Sequence, residues 1–388
     1  MTNRGGRGYG GQRRSGGQRP GGGNRGGGGN RPSQASQPPG GGSRRRTRRR
    51  KRPRLPLIIA LVVVVAIGGV GVSTFGMIES ALLSATGAAS AAVSRATAQP
   101  SPGTITNWDG TGLTATAIDP SYFATGACMK FAPSGTVRKT ETVFIDAGHG
   151  GIDPGGTGQT SGGATVTESA VNLAVALDAM KILTGKGYEV VLDRTQQTTV
   201  LKLTAADEVD GTESDSFVEA DLAARDVCAN DADANLLIGI YQDAAVGDPS
   251  QAGSVTSYDA ARPFAAENEL FANLLQTDVL QELNTQGSQI PDDGVENDTG
   301  MGSNALSSST SYGHLQLLGP AFPSGGFTTP SNMPGALIEP LYLTDPFEGS
   351  IAASTTGQGL IAQGMADAAG QYFAQTVKPA ASTKAAKS

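Results

Sequence analysis

From residue 142 onward the apolar positions fall into two rhythms. "TVFIDAG" (142–148), "YEVVLDR" (188–194) and "NLLIGIYQDA" (235–244) are short, nearly continuous apolar runs closed by glycine or charged residues, which predicts strands buried on both faces. Between the first two, "VTESAVNLAVALDAMKILTGKG" (166–187) sets Val171, Val175, Leu177, Met180 and Leu183 at helical spacing and stops at Gly185 and Gly187. Residues 219–230 and 267–286 predict two more helices, "HLQLLG" and "GALIEPLYL" two more strands, and 357–373 a closing helix. Strands alternating with helices predict an α/β fold: a mainly parallel, twisted sheet with helices on both faces. In such sheets, sites collect at the carboxyl ends of strands, where His149, Tyr241 and Glu339 fall.

The pattern before residue 142 is different. Residues 55–78, "LPLIIALVVVVAIGGVGVSTFGMI", carry no charge, and about 20 such residues suffice to cross a bilayer as a helix. Nine basic residues lie in the eleven positions 44–54, so the positive-inside rule keeps residues 1–54 cytoplasmic and places the rest outside. The run is too long for the apolar core of a cleaved signal peptide, which predicts an uncleaved single-pass anchor in the cell membrane.

Charge sharpens the division. The total of −6 conceals 16 Lys and Arg with no acid in residues 1–54, leaving 13 bases against 35 acids beyond them, a net of −22. The first 54 residues have almost nothing to bury and predict a disordered Gly/Arg-rich tail. Its basic clusters suit contact with a polyanion, although a solvated tail is the simpler reading. Residues 79–140, rich in Ala, Ser, Thr, Gly and Pro, read as an extracytoplasmic linker; 141–377 form the folded domain and 378–388 a disordered tail. Cys128 and Cys228 both fall on the exported side, where a disulfide is permitted; two unpaired buried thiols fit the sequence equally well.

The glycine-rich loop after the first strand lacks the spacing of a nucleotide-binding turn. A metal site suits "DAGHGG" better, since neutral imidazole and carboxylate are the ligands of hydrolytic zinc. Five blocks in order, "VFIDAGHGG", "ESAVNLAVAL", "GYEVVLDRT", "RDVCANDADANLLIGIYQDA" and "MPGALIEPLYLTDPFE", resemble the zinc-dependent N-acetylmuramoyl-L-alanine amidases that trim bacterial peptidoglycan, across roughly residues 142–375. The resemblance implies that His149 and Glu168 bind Zn2+ and that Glu339 is catalytic. It also implies a third metal ligand at position 241, where the family carries histidine and this chain carries Tyr241.

Tyrosine ligates well only as phenolate, with an ordinary pKa of about 10, so the substitution weakens the expected site. Asp243 shares a strand face with Tyr241 but matches a residue the family also tends to carry. His314, the only other imidazole, lies outside the ligand blocks and reads as an ordinary, partly exposed histidine. The implied function is a membrane-anchored peptidoglycan hydrolase that cuts between N-acetylmuramic acid and L-alanine. The alternatives are an inactive amidase-like domain binding peptidoglycan or an envelope partner, and a tether between the cell wall and a polyanion on the basic tail.

Overall fold

The computed structural model describes residues 104–245, 247–299 and 312–376. The basic tail, the apolar run at 55–78, residues 79–103 of the expected linker and the tail at 378–388 lie outside them. Among the described residues no helix is long and apolar enough to cross a membrane.

A nine-stranded sheet runs through the domain. Its strands are β1 (Thr104–Trp108), β2 (Leu113–Ala117), β3 (Ala127–Phe131), β4 (Thr142–Ala147), β7 (Glu189–Arg194), β10 (Leu236–Ile240), β11 (Ser254–Tyr258), β12 (Asp292–Asn297) and β13 (Gly335–Glu339), in the spatial order β1-β2-β3-β7-β4-β10-β13-β11-β12. The central strands β7, β4, β10 and β13 are mutually parallel. On one side β3, β2 and β1 continue antiparallel; on the other, β11 turns antiparallel to β13, and β12 runs parallel to β11. The sheet is thus parallel at its centre and mixed at its wings. Two small hairpins, β5 (Thr157–Gln159) with β6 (Thr165–Thr167) and β8 (Glu208–Val209) with β9 (Thr212–Glu213), lie outside it.

Alternation along the central strands builds two cores. Val143, Ile145, Val190, Leu192, Leu236 and Ile238 face α1 (Glu168–Gly185), α3 (Ala265–Asn284) and α5 (Thr355–Thr376). Phe144, Val191 and Leu237 face the other way, against Ala224, Val227 and Cys228 of α2 (Asp215–Asp231). Helices therefore cover both faces, as the apolar runs demand. The sequence places α1 almost to the residue: it buries Val171, Val175, Ala179, Met180 and Leu183 and ends before Gly187, which takes φ +99°. A short α4 (Pro346–Ala352) starts with Pro346 at its first turn and with Asp345 capping Phe347 N and Glu348 N.

Two differences from the sequence reading matter, and one open alternative is settled. The expected linker ends earlier, because residues 104–131 form β1–β3 and extend the sheet edge. "HLQLLG" is not a strand: Leu315, Leu317 and Leu318 lie buried on the α2 face of the sheet, and Arg262 donates to the carbonyls of Leu318 (3.1 Å) and Gly319 (2.8 Å). Cys128 and Cys228 are joined in a disulfide, Cα–Cα 5.7 Å, which ties β3 to α2 and settles the alternative the sequence left open.

Candidate functional site

Three central strands end at one cleft. His149 follows β4, Tyr241 follows β10 and Glu339 closes β13, and all three line the same depression together with Asp153, Glu213 and Leu315. Parallel pairing of β4 with β10 and of β10 with β13 puts these three chain positions at one rim of the sheet.

His149 is held from both sides. Its Nδ1 lies 2.6 Å from Asp153 Oδ2, and its Nε2 lies 3.2 Å from Glu168 Oε1. Its backbone takes φ +62°, an uncommon conformation for a side chain larger than glycine. Buried arginines fix that turn by binding the carbonyls around it. Arg194 donates to Ala147 O and Gly148 O at 2.7 and 3.0 Å, and Arg225 donates to His149 O at 3.1 Å. Burial alone would lower the His149 pKa, but Glu168 and Asp153 override it and push the imidazole up to about 10. The two flanking carboxylates thus favour the protonated form of the ring.

Glu168 opens α1, where the helix dipole favours a carboxylate. Its Oε2 accepts from Gly156 N at 2.7 Å and its Oε1 from Gln242 N at 3.0 Å. Burial opposes its charge, yet His149 and these two N–H groups hold its pKa below the usual carboxylate value. The loop can come this close because residue 155 has no side chain: a Cβ there would sit 2.6 Å from His149 Cδ2 and 2.7 Å from Glu168 Oε2, at φ +64°.

Tyr241 stands at the position where the family resemblance implies a third metal ligand. Its ring meets His149 edge-on at 5.5 Å, and there is no room at residue 148 for a Cβ, which would fall 2.3 Å from Tyr241 Cε1. Burial first, then the charge of the neighbouring Asp146 carboxylate, push the phenol well above 10. Asp146 in turn belongs to a buried ion-pair cluster around Arg225, whose Nη1 reaches Asp146 Oδ1 at 2.8 Å and Asp193 Oδ2 at 2.9 Å and whose Nη2 reaches Asp221 Oδ2 at 3.1 Å.

The donor set can be tested against zinc on these facts. His149 Nε2 is buried with no hydrogen-bond partner, close to Glu168 Oε1, and its Nδ1 rests on a carboxylate, as ligating histidines usually do. Those two residues fit. Tyr241 does not: a buried phenol beside an anion resists becoming the phenolate that binds metal, and a hydrolytic zinc site needs three protein ligands. The residues brought together here do not fit a complete zinc centre.

His314 does not mend this. It sits at the opposite rim of the sheet, against Asp259 and Asp298. The sequence reading did not single out Asp153, Arg194 or Arg225. Asp153 carried a signal, four residues after His149 in the same glycine-rich loop; the arginines gave none, since their role depends on burial.

Comparison with known proteins accords with the resemblance. The family model described as N-acetylmuramoyl-L-alanine amidase matches residues 143–371, and this chain belongs to that family. No curated protein matches. Among solved structures, the catalytic domain of CwlV, an N-acetylmuramoyl-L-alanine amidase from Bacillus (Paenibacillus) polymyxa var. colistinus, is 24% identical, with TM-score 0.42, covering 61% of this chain and 99% of that one. The N-acetylmuramoyl-L-alanine amidase from Clostridium difficile 630 is 23% identical, with TM-score 0.43 and coverage of 61% and 98%. Ami1 from Mycobacterium smegmatis is 14% identical, with TM-score 0.42 and the same two coverages.

Proposed function

We propose that this domain binds peptidoglycan at the junction of N-acetylmuramic acid and L-alanine and that, as it stands, it does not hydrolyse the amide. Family membership supports the substrate class. The observation that carries the second half is Tyr241: a buried phenol stands where the family resemblance implies a third ligand, which leaves His149 and Glu168 as the two fitting ligands in the cleft. The cleft wall combines apolar Leu315, Leu317 and Leu337 with Asp153, Glu213 and Glu339, which suits a sugar face on one side and the amines of a stem peptide on the other. Burial, then Asp221 and Asp153, push Glu213 up to about 7, so this wall gains negative charge through neutrality.

A second reading, cleavage of the same amide, is favoured by one observation: Glu339, which the family resemblance makes catalytic, shares the cleft with His149. That reading requires a third metal ligand beyond His149 and Glu168. The uncharged run at 55–78 and the basic residues before it support a single-pass anchor with a cytoplasmic tail and the domain outside, facing the wall.

Cosedimentation of the full chain with purified peptidoglycan tests the proposal. Binding that Leu337→Asp weakens, without release of stem peptides, is expected. No binding to peptidoglycan would refute the substrate class, and release of stem peptides by the wild-type chain would refute the absence of hydrolysis.

A further inference from the structure

A second group of metal-ligating side chains lies away from the cleft. β11 and β12 run parallel with Tyr258 opposite Asn297, so the next residues, Asp259 and Asp298, stand side by side, and Asp298 N donates to Tyr258 O at 2.8 Å. Because β11 is antiparallel to β13, with Val255 opposite Glu339, these aspartates sit at the rim of the sheet remote from Glu339. His314 joins them from the segment whose next residues, Leu315 to Leu317, cross the sheet face and line the cleft.

The geometry leaves one atom unprovided for. Asp259 Oδ1 accepts from Ala261 N at 2.5 Å and Asp298 Oδ2 from Leu315 N at 2.9 Å, so each carboxylate is oriented by one oxygen and presents the other to His314. The presented atoms, Asp259 Oδ2 and Asp298 Oδ1, lie 2.8 and 3.1 Å from His314 Nδ1. One ring N–H cannot point at both; the bond formed is to Asp298 Oδ1, and no donor is directed at Asp259 Oδ2. Both aspartates are wholly buried at 0% exposure, where a carboxylate oxygen without a donor is costly. The nearby Arg262 spends its Nη atoms on the carbonyls of Leu318, Gly319 and Ser331.

A cation removes the conflict. Spacings of 2.8 and 3.1 Å between ligand atoms match adjacent corners of an octahedral shell with bonds of about 2.0–2.2 Å. One imidazole and two carboxylates suit Zn2+ or Mn2+. The backbone N–H groups on the remaining carboxylate oxygens supply outer support, the Tyr312 ring steadies the imidazole edge-on at 5.4 Å, and the partly exposed His314 leaves a way in.

We infer that Asp259 Oδ2, Asp298 Oδ1 and His314 Nδ1 bind a divalent transition cation, which fastens the cleft-lining segment around residues 312–319 to the edge of the sheet. The site is separate from the His149 cleft and does not depend on the function proposed for it.

The test uses the full chain in nonionic detergent, stripped with chelator and titrated with Mn2+ by electron paramagnetic resonance and with Zn2+ by calorimetry. One equivalent is expected to bind and to raise the melting temperature. Asp298→Asn and His314→Gln, each shown to be folded by circular dichroism, should weaken binding by about 100-fold or more, and His149→Gln should leave it unchanged. Failure of the stripped wild-type chain to bind either ion, or to gain stability from it, overturns the inference without reference to any variant. Binding lost in His149→Gln but kept in His314→Gln assigns the ion to the other rim and overturns it equally.

Discussion

Arg225 Nη1 lies 2.8 Å from Asp146 Oδ1, and the Asp146 charge is, after burial, what raises the Tyr241 phenol most. One buried guanidinium thus links the loop that carries His149 to the surroundings of Tyr241. Burial opposes the Arg225 charge, but Asp146, Tyr241, Asp221 and Asp193 hold its pKa well above the ordinary value. Arg225→Met leaves three aspartates buried without their partner, so a loss of about 3–5 kcal/mol is expected in urea unfolding. A loss below about 1 kcal/mol would show that the cluster does not support the fold.

Residue 155 limits how closely the loop approaches Glu168. Gly155→Ala adds a Cβ into the space held by His149 Cδ2 and Glu168 Oε2 and imposes a left-handed backbone on alanine. It should cost more than about 1 kcal/mol, read as a lower melting temperature, and disturb the His149 ring resonances by nuclear magnetic resonance. Unchanged resonances would contradict the close approach.

The Cys128–Cys228 bond closes a separation of 100 residues between β3 and α2. Replacing both cysteines with alanine should lower stability by about 2–5 kcal/mol and make it insensitive to reductant. A wild-type chain indifferent to reductant would show that the bond contributes nothing.

Glu348 gives the fold a pH dependence. Its side chain accepts from Tyr342 N at 2.7 Å and Gly253 N at 2.9 Å, yet burial outweighs both and pushes it from 4.5 up to about 7. For a carboxyl raised in the folded state, the penalty is absent below about pH 4, grows as pH rises through the unfolded value and is complete above about pH 7. The stability of wild type relative to Glu348→Gln should therefore fall by up to about 3 kcal/mol between those limits. A difference independent of pH would remove this assignment.

The centre of the sheet was legible because its strands are apolar runs that must be covered on both sides, and α1 because its buried positions keep a helical period. β1 to β3 were not: "TITNW" and "LTATA" are mostly threonine and alanine, and they become strands by pairing onto β7 through β3. "HLQLLG" misled for the opposite reason, since its leucines are apolar to lie against the sheet, while an arginine rather than a neighbouring strand takes carbonyls at its end. At the site, His149, Tyr241 and Glu339 fall at or just past the ends of central strands, and the family resemblance supplied the roles expected of them. The partnerships of Asp153 with His149 and of Asp259 with His314 depend on loop paths that no local pattern encodes.

The most direct measurement of the central claim is release of stem peptides from purified peptidoglycan by the wild-type chain and by Tyr241→His, each with added Zn2+. Release is expected from the variant alone, with zinc bound at the cleft in the variant and not in the parent. Peptide release by the wild-type chain, abolished by a chelator and by Glu339→Ala, would contradict it.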